Sequence, residues 1–166
     1  MHKRNILGIV GCAALLSSAA LAATATANLT SSASITGTCS ITGNSMPFGI
    51  YNPFTGAAVT QSATISVTCV TGMTPPPIRM GQGLHAQTSS TEAVPLRQLN
   101  SGAGNLTYNL YSDAGTTVPW ENTTGVTSPV PTGSAQTMTV YGKIDAGQTT
   151  AIAGNYTDSV IVTVTF

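Results

Sequence analysis

The stretch Ala63-Thr64-Ile65-Ser66-Val67-Thr68-Cys69 alternates apolar and hydroxyl side chains without a break. Successive side chains of an extended chain point to opposite faces, so Ala63, Ile65, Val67 and Cys69 share an inward face and the hydroxyls look out. The same period of two returns along the sequence. Leu29, Ala33, Ile35, Cys39 and Ile41 share one parity, against Thr30, Ser32, Ser34, Thr36, Thr38 and Ser40 on the other, which predicts a half-buried strand over 29–41. Leu106, Tyr108 and Leu110 form another inward set, Met138, Val140 and Ile144 a further one, and Tyr156, Val160, Val162, Val164 and Phe166 the last. Between them lie turn signals, Asp113-Ala114-Gly115, Asp145-Ala146-Gly147 and Gly154-Asn155, and Ser/Thr/Gly/Pro-rich loops over 87–92 and 122–136. Pro75-Pro76-Pro77 lacks ladder donors and reads as an extended lead-in to an edge strand. Short amphipathic strands separated by such turns predict an all-β fold, a β-sandwich in one domain.

Composition narrows the function. The 166 residues hold 5 Lys and Arg against 5 Asp and Glu, so 6% are charged, where about 25% is ordinary. No basic excess exists to neutralise phosphates, which excludes nucleic acid, and no polybasic segment suits anionic lipid. His2, Lys3 and Arg4 precede an apolar run from Ile6 to Leu16 and then small residues, the pattern of a secretory signal over 1–22. Ala20-Leu21-Ala22 fits the cleavage rule and Ala25-Thr26-Ala27 is a later alternative, placing cleavage between 22 and 27. The run is short for a membrane span of about 20 residues, so no stable membrane insertion is expected. Without the signal, Arg79, Arg97 and Lys143 face Glu92, Asp113, Glu121, Asp145 and Asp158, a net charge of −2. Cys12 leaves with the signal, and Cys39 and Cys69, both inward by parity, remain in an oxidising compartment. One disulfide is the expectation; a metal is the alternative, but two sulfurs without a nearby His are half a zinc site at best.

Nothing assembles a catalytic set. The one histidine outside the signal, His85, sits in a Gly/Gln loop and reads as an exposed loop residue, and the carboxylates are scattered rather than paired. Asp113 and Asp145 occupy turns, where Asp bonds its own backbone. Asp158 has inward parity and needs a partner, for which Arg79 or Arg97 is the natural mate. Gly81-Gln82-Gly83 precedes no helix signal and is not read as a phosphate cradle. Trp120, beside Pro119, is read as core packing, with a sugar-stacking patch together with Tyr111 as the alternative. No enzyme, cofactor or metal follows. The chain stops at Phe166 inside its most hydrophobic strand: either an ordinary edge strand, or one whose neighbour another chain supplies.

Cys39-Ser40-Ile41, Met46-Pro47-Phe48-Gly49-Ile50-Tyr51 and Ile65-Ser66-Val67-Thr68-Cys69 resemble the opening of a spore coat protein U domain. The second half is similar too: Leu106-Thr107-Tyr108-Asn109-Leu110-Tyr111, Val118-Pro119-Trp120, Thr139-Val140-Tyr141-Gly142-Lys143-Ile144, and Ala153-Gly154-Asn155-Tyr156-Thr157-Asp158. The family resembles subunits of archaic chaperone-usher pili. That resemblance implies an incomplete immunoglobulin-like sandwich over 29–166, missing its last strand, whose groove a periplasmic pilus chaperone and then the N-terminal extension of a neighbouring subunit would fill. It implies an outer-membrane usher and a cell-surface fibre exported through the periplasm. By position, the extension is 23–35, the donor residues are Ala25, Ala27 and Leu29, and the groove edge is Val160, Val162, Val164 and Phe166. Alanine buries little apolar area, so this is a weak donor unless it extends to Ala33 and Ile35. Two alternatives stay open: a secreted monomeric or self-complemented coat or biofilm-matrix protein of the same fold, and a carbohydrate-binding adhesin.

Overall fold

The alternating segments become eight strands in a computed structural model that describes residues 25–166; the signal read at 1–22 lies outside the described residues. They are β1 (Cys39–Gly43), β2 (Val59–Cys69), β3 (Pro77–Met80), β4 (Arg97–Asn100), β5 (Asn105–Tyr111), β6 (Val126–Thr127), β7 (Gln136–Ile144) and β8 (Val162–Val164). All pairings are antiparallel, in a five-stranded sheet of order β1-β2-β7-β5-β4 and a three-stranded sheet of order β6-β3-β8. The strand β2 is the spine of the larger sheet, pairing with β7 from Val59↔Ile144 to Val67↔Gln136 and with β1 from Cys39↔Cys69 to Gly43↔Ile65. The inward sets read from parity meet in one core: Ile65, Val67 and Cys69, Leu106, Tyr108 and Leu110, and Val140 and Ile144 pack with Ile78 and Met80 of the smaller sheet. Together these layers make an immunoglobulin-like β-sandwich.

Compactness divides the chain into residues 1–34 and 35–166. Within the first unit, residues 25–34 are exposed and carry no regular secondary structure. The strand expected over 29–41 therefore begins only at Cys39. Leu29, at 96% exposure, has the right parity but no ladder, and β-propensity expresses itself only where a pleated neighbour exists. Pro77 corrects a second expectation, because β3 is the central strand of its sheet rather than an edge. Proline is accommodated there as the strand's first residue. Likewise the last inward set keeps its alternating burial from Tyr156 to Val164, although only Val162–Val164 is strand.

Two fixed points tie the layers. Cys39 and Cys69 form a disulfide across β1 and β2, directly opposed in register with Cα atoms 4.1 Å apart. The two cysteines are 30 residues apart in sequence, and closing a loop of that length stabilises the fold by about 3 to 4 kcal/mol in the chain-entropy model. The second is Arg97, fully buried at 0% exposure. Its guanidinium donates to Gly81 O at 2.7 and 2.9 Å, Trp120 O at 2.8 Å, Met80 O at 3.0 Å and Asn109 Oδ1 at 2.6 Å. Trp120 in turn donates its indole N–H to Ile78 O at 2.8 Å. The expected Arg97–Asp158 ion pair is replaced by a clamp on carbonyls, because the planar fork meets several acceptors at once where the chain leaves β3. Burial pushes the Arg97 pKa down to about 10, so it remains a cation at neutral pH. An ammonium cannot cover the same acceptors. Arg97→Lys is expected to cost about 3 kcal/mol, from buried carbonyls left unpaired, read as a lower urea midpoint; an unchanged midpoint would show that the clamp is dispensable.

Candidate functional site

Antiparallel ladders consume the backbone groups of alternate residues on each edge of a strand. Gly81 N–H donates to Ile161 O at 2.9 Å and Leu84 N–H to Ser159 O at 3.1 Å, and Arg79 faces Thr163 in register. Residues 159, 161 and 163 thus turn their backbone toward β3 and the chain that follows it. Val160, Val162 and Val164 turn theirs the other way, where the described residues provide no ladder. The facing edge belongs to β1, which approaches within 8 Å Cα–Cα but shares no ladder with β8.

Beside this unpaired edge the sandwich is open. A cleft of about 1210 Å³ is floored by Ile65, Met80, Leu106, Tyr108, Val140 and Ile144, all core residues. One rim is the end of β1 and the chain after it, from Ile41 to Phe54, and the other is the chain running into β8, from Ala151 to Val162. Val160 and Val162 line the cleft, and Val164 packs on the core beyond it. Phe166 lies past the end of β8, 60% exposed and outside the lining. Ala25, Ala27 and Leu29 are exposed and unpaired with any strand.

The first rim is seated by a glycine. Gly142 falls on the inward face of β7, between Val140 and Ile144, and a Cβ there would run into Met46 Sδ and Phe48 Cζ. Met46 and Phe48 fill the missing side chain's space, and the Phe48 ring meets Tyr108 edge-on with centroids 5.7 Å apart. Tyr51 anchors the far end of this strap: its hydroxyl donates to Asp145 O at 2.9 Å and accepts from Gln148 N–H at 3.0 Å. The motif over 46–51 was legible as a family signature, but its role in filling the core was not. The available signal was the glycine interrupting an otherwise apolar inward face in β7.

The second rim is held by Asp158, whose side chain is only 1% exposed. It accepts from the Tyr108 hydroxyl at 2.7 Å, Leu84 N–H at 2.9 Å and His85 N–H at 3.3 Å, with His85 Nδ1 at 3.2 Å. The inward parity of Asp158 was correct and its expected arginine mate was not. Arg79 instead donates to Thr123 O and Thr165 Oγ1. His85, read as a free loop residue, is partly buried against this carboxylate. Asp113 does bond its own turn, accepting from Thr117 and Val118 N–H, whereas Asp145 pairs with Lys143 at 2.9 Å. Trp120, at 1% exposure, is core, so no stacking patch with Tyr111 forms. Among the described residues no three His, Cys, Asp or Glu side chains converge as metal ligands.

An all-β sandwich with an unpaired strand edge beside an open apolar cleft defines a class of fold rather than a chemistry. Residues 25–163 match the family described as the Spore Coat Protein U domain. Over 130 residues the chain is 36% identical to Protein U of Myxococcus xanthus, covering 74% of this chain and 72% of that protein. The chain belongs to the spore coat protein U domain family. Its fold is similar to a chain of the CsuC–CsuE chaperone–tip adhesion subunit pre-assembly complex from archaic chaperone-usher Csu pili of Acinetobacter baumannii, with a TM-score of 0.54 and 21% identity. That match covers 80% of this chain and spans 40% of the other.

If the strap is seated as described, Gly142→Val overpacks the site and lifts Met46 and Phe48. The expected outcome is a loss of about 2 kcal/mol and faster protease cleavage within residues 44–58; undiminished stability with an uncleaved strap would contradict the seat.

Proposed function

We propose that this chain is a structural subunit of a cell-surface fibre of the chaperone-usher type, and that its cleft receives an extended segment from another chain. The observation that carries this reading is the free edge of β8 and of the chain entering it, where the Val160, Val162 and Val164 backbone groups are unladdered among the described residues beside an apolar floor. An added strand would supply the ladder with its backbone and fill the cleft with alternate side chains, which is β-augmentation. The likeness to a chaperone–subunit complex supports a periplasmic chaperone as the first occupant. The segment over 25–35 supports a donor for the next subunit: it is exposed, extended in propensity and free of any ladder, with Ala25, Ala27 and Leu29 on one parity. A head-to-tail contact of this kind does not close on itself and therefore builds a filament, with an outer-membrane usher as the export route. The role is structural, with no reaction assigned.

A second reading is favoured by the donor itself. Alternating Ala and Thr bury little apolar area, so the segment over 25–35 would bind weakly between chains and gains most from being attached to the chain that it fills. This is the self-complemented coat or matrix protein.

Periplasmic expression with and without a cognate chaperone, followed by electrophoresis of unboiled samples, separates the two. A ladder of detergent-resistant multimers that disappears on deletion of residues 23–29 is the expected result. A stable, chaperone-free monomer would overturn the fibre.

A further inference from the structure

The Gly81-Gln82-Gly83 loop, which lacks the helix that a phosphate cradle needs, nevertheless cradles an anion, and the anion is the chain's own Asp158. Gly83 has a φ of +89°, and a Cβ on it would collide with Asp158 Oδ2. The two N–H groups that follow, Leu84 and His85, both point at Asp158 Oδ1. The other carboxylate oxygen takes the Tyr108 hydroxyl from β5, in the opposite sheet. One side chain thus bonds two separate elements, the loop after β3 and the strand β5, across the opening between the sheets. Tyr108 is equally placed on the other side: its ring meets Phe48 of the strap while its hydroxyl holds Asp158. Both rims of the cleft are therefore referenced to one buried tyrosine in its floor.

We propose that the Tyr108–Asp158 hydrogen bond is a positioning device for strand capture, holding the chain over 156–164 at a fixed height above the cleft floor so that the free edge of β8 stays presented. This rests on the strand-accepting reading above. Displacing this rim is costly in both directions. Moving the rim outward strips a donor from a carboxylate that is 1% exposed, and a buried charge without its partners is unfavourable. Moving it inward is blocked by the tyrosine ring, which acts as a spacer. An entirely apolar rim would have neither limit and would collapse onto Ile65, Met80 and Val140, closing the cleft without any second chain. Burial, and then the neighbouring Asp158, raises the Tyr108 phenol above its ordinary pKa, so the hydroxyl remains a donor. The other titratable groups nearby are His85 on the loop and Arg97 behind it, the latter occupied by carbonyls. Tyr141 provides an internal control, because it alternates to the face of β7 opposite Val140 and Gly142 and stands outside the cleft lining.

The test uses the full chain and a fluorescent synthetic peptide of residues 25–38, with amide hydrogen exchange measured in parallel. Tyr108→Phe is expected to speed exchange at Leu84 and His85 and to weaken peptide capture, each by about tenfold, the size of one charge-assisted hydrogen bond. The Cys39–Cys69 disulfide and the Trp120 emission stay unchanged, and Tyr141→Phe moves neither readout. Wild-type capture by Tyr108→Phe overturns the positioning role. If the unaltered chain captures no peptide, strand acceptance itself fails, and with it this role; accelerated exchange would then leave only a structural tie. Should Tyr108→Phe not fold, Asp158→Asn, which keeps the shape and one acceptor oxygen, is expected to show the same two losses in smaller degree, and normal capture by it overturns the proposal.

Discussion

A strand that is hydrogen-bonded on one side only and lies beside the apolar core is the constraint around which this sandwich is arranged. The strand β8 pairs with β3 and with nothing on its other edge among the described residues, and the core residues under that edge form an open floor. Such an edge invites pairing and must be kept in place without the neighbour that would ordinarily fix it. The protein answers with polar fixed points. Arg97 clamps the end of β3 to Trp120 and Asn109, Asp158 ties the approach to β8 to Tyr108, and the disulfide holds the short β1 on β2. Each acts where the missing packing would otherwise leave the chain free to move.

The scarcity of charge takes on meaning in this light. Most of the charged side chains among the described residues are spent on the chain's own polar groups, backbone and side chain alike. Asp113 closes its turn, and Glu92 joins Gln82 to Asn122. Glu121 gathers the hydroxyls and N–H groups of Thr123 and Thr124 and the N–H of Gly125. Partial burial pushes its pKa up, but these hydrogen bonds outweigh it and hold the group at about 2. A depressed carboxylate of this kind contributes stability that is present above pH 4.5 and lost as the pH falls toward 2. What faces solvent is largely threonine, serine, asparagine and glycine. A surface with little net charge offers little repulsion between neighbouring copies, which suits a subunit packed in series and leaves a lone one prone to association.

Much of the fold was legible because a period of two is unambiguous where hydroxyls alternate with branched apolar residues. The inward faces of β2, β5 and β7 follow directly from it, as does the pairing of two cysteines that share an inward parity. The same rule overreached at 29–38, since alternation supplies propensity and only a neighbouring strand supplies the ladder. The site was less legible for a different reason. Asp158 meets Tyr108 and His85, which lie 50 and 73 residues away, so its partners are set by sheet topology rather than by any local pattern. Charge matching pointed to arginine, but Arg97 is more completely satisfied by four acceptors around the end of β3 and Trp120. The strap was hidden because its anchoring residue, Gly142, signals by what it lacks.

Everything proposed for this fold turns on the free edge of β8 receiving a strand from outside the sandwich. Amide hydrogen exchange at Val160, Val162 and Val164, compared between the isolated subunit and assembled multimers, addresses it directly. Fast exchange is expected in the isolated subunit and strong protection at these three alternate residues in the multimer, with the already bonded Ile161 and Thr163 changing least. Equal exchange in both states would contradict it.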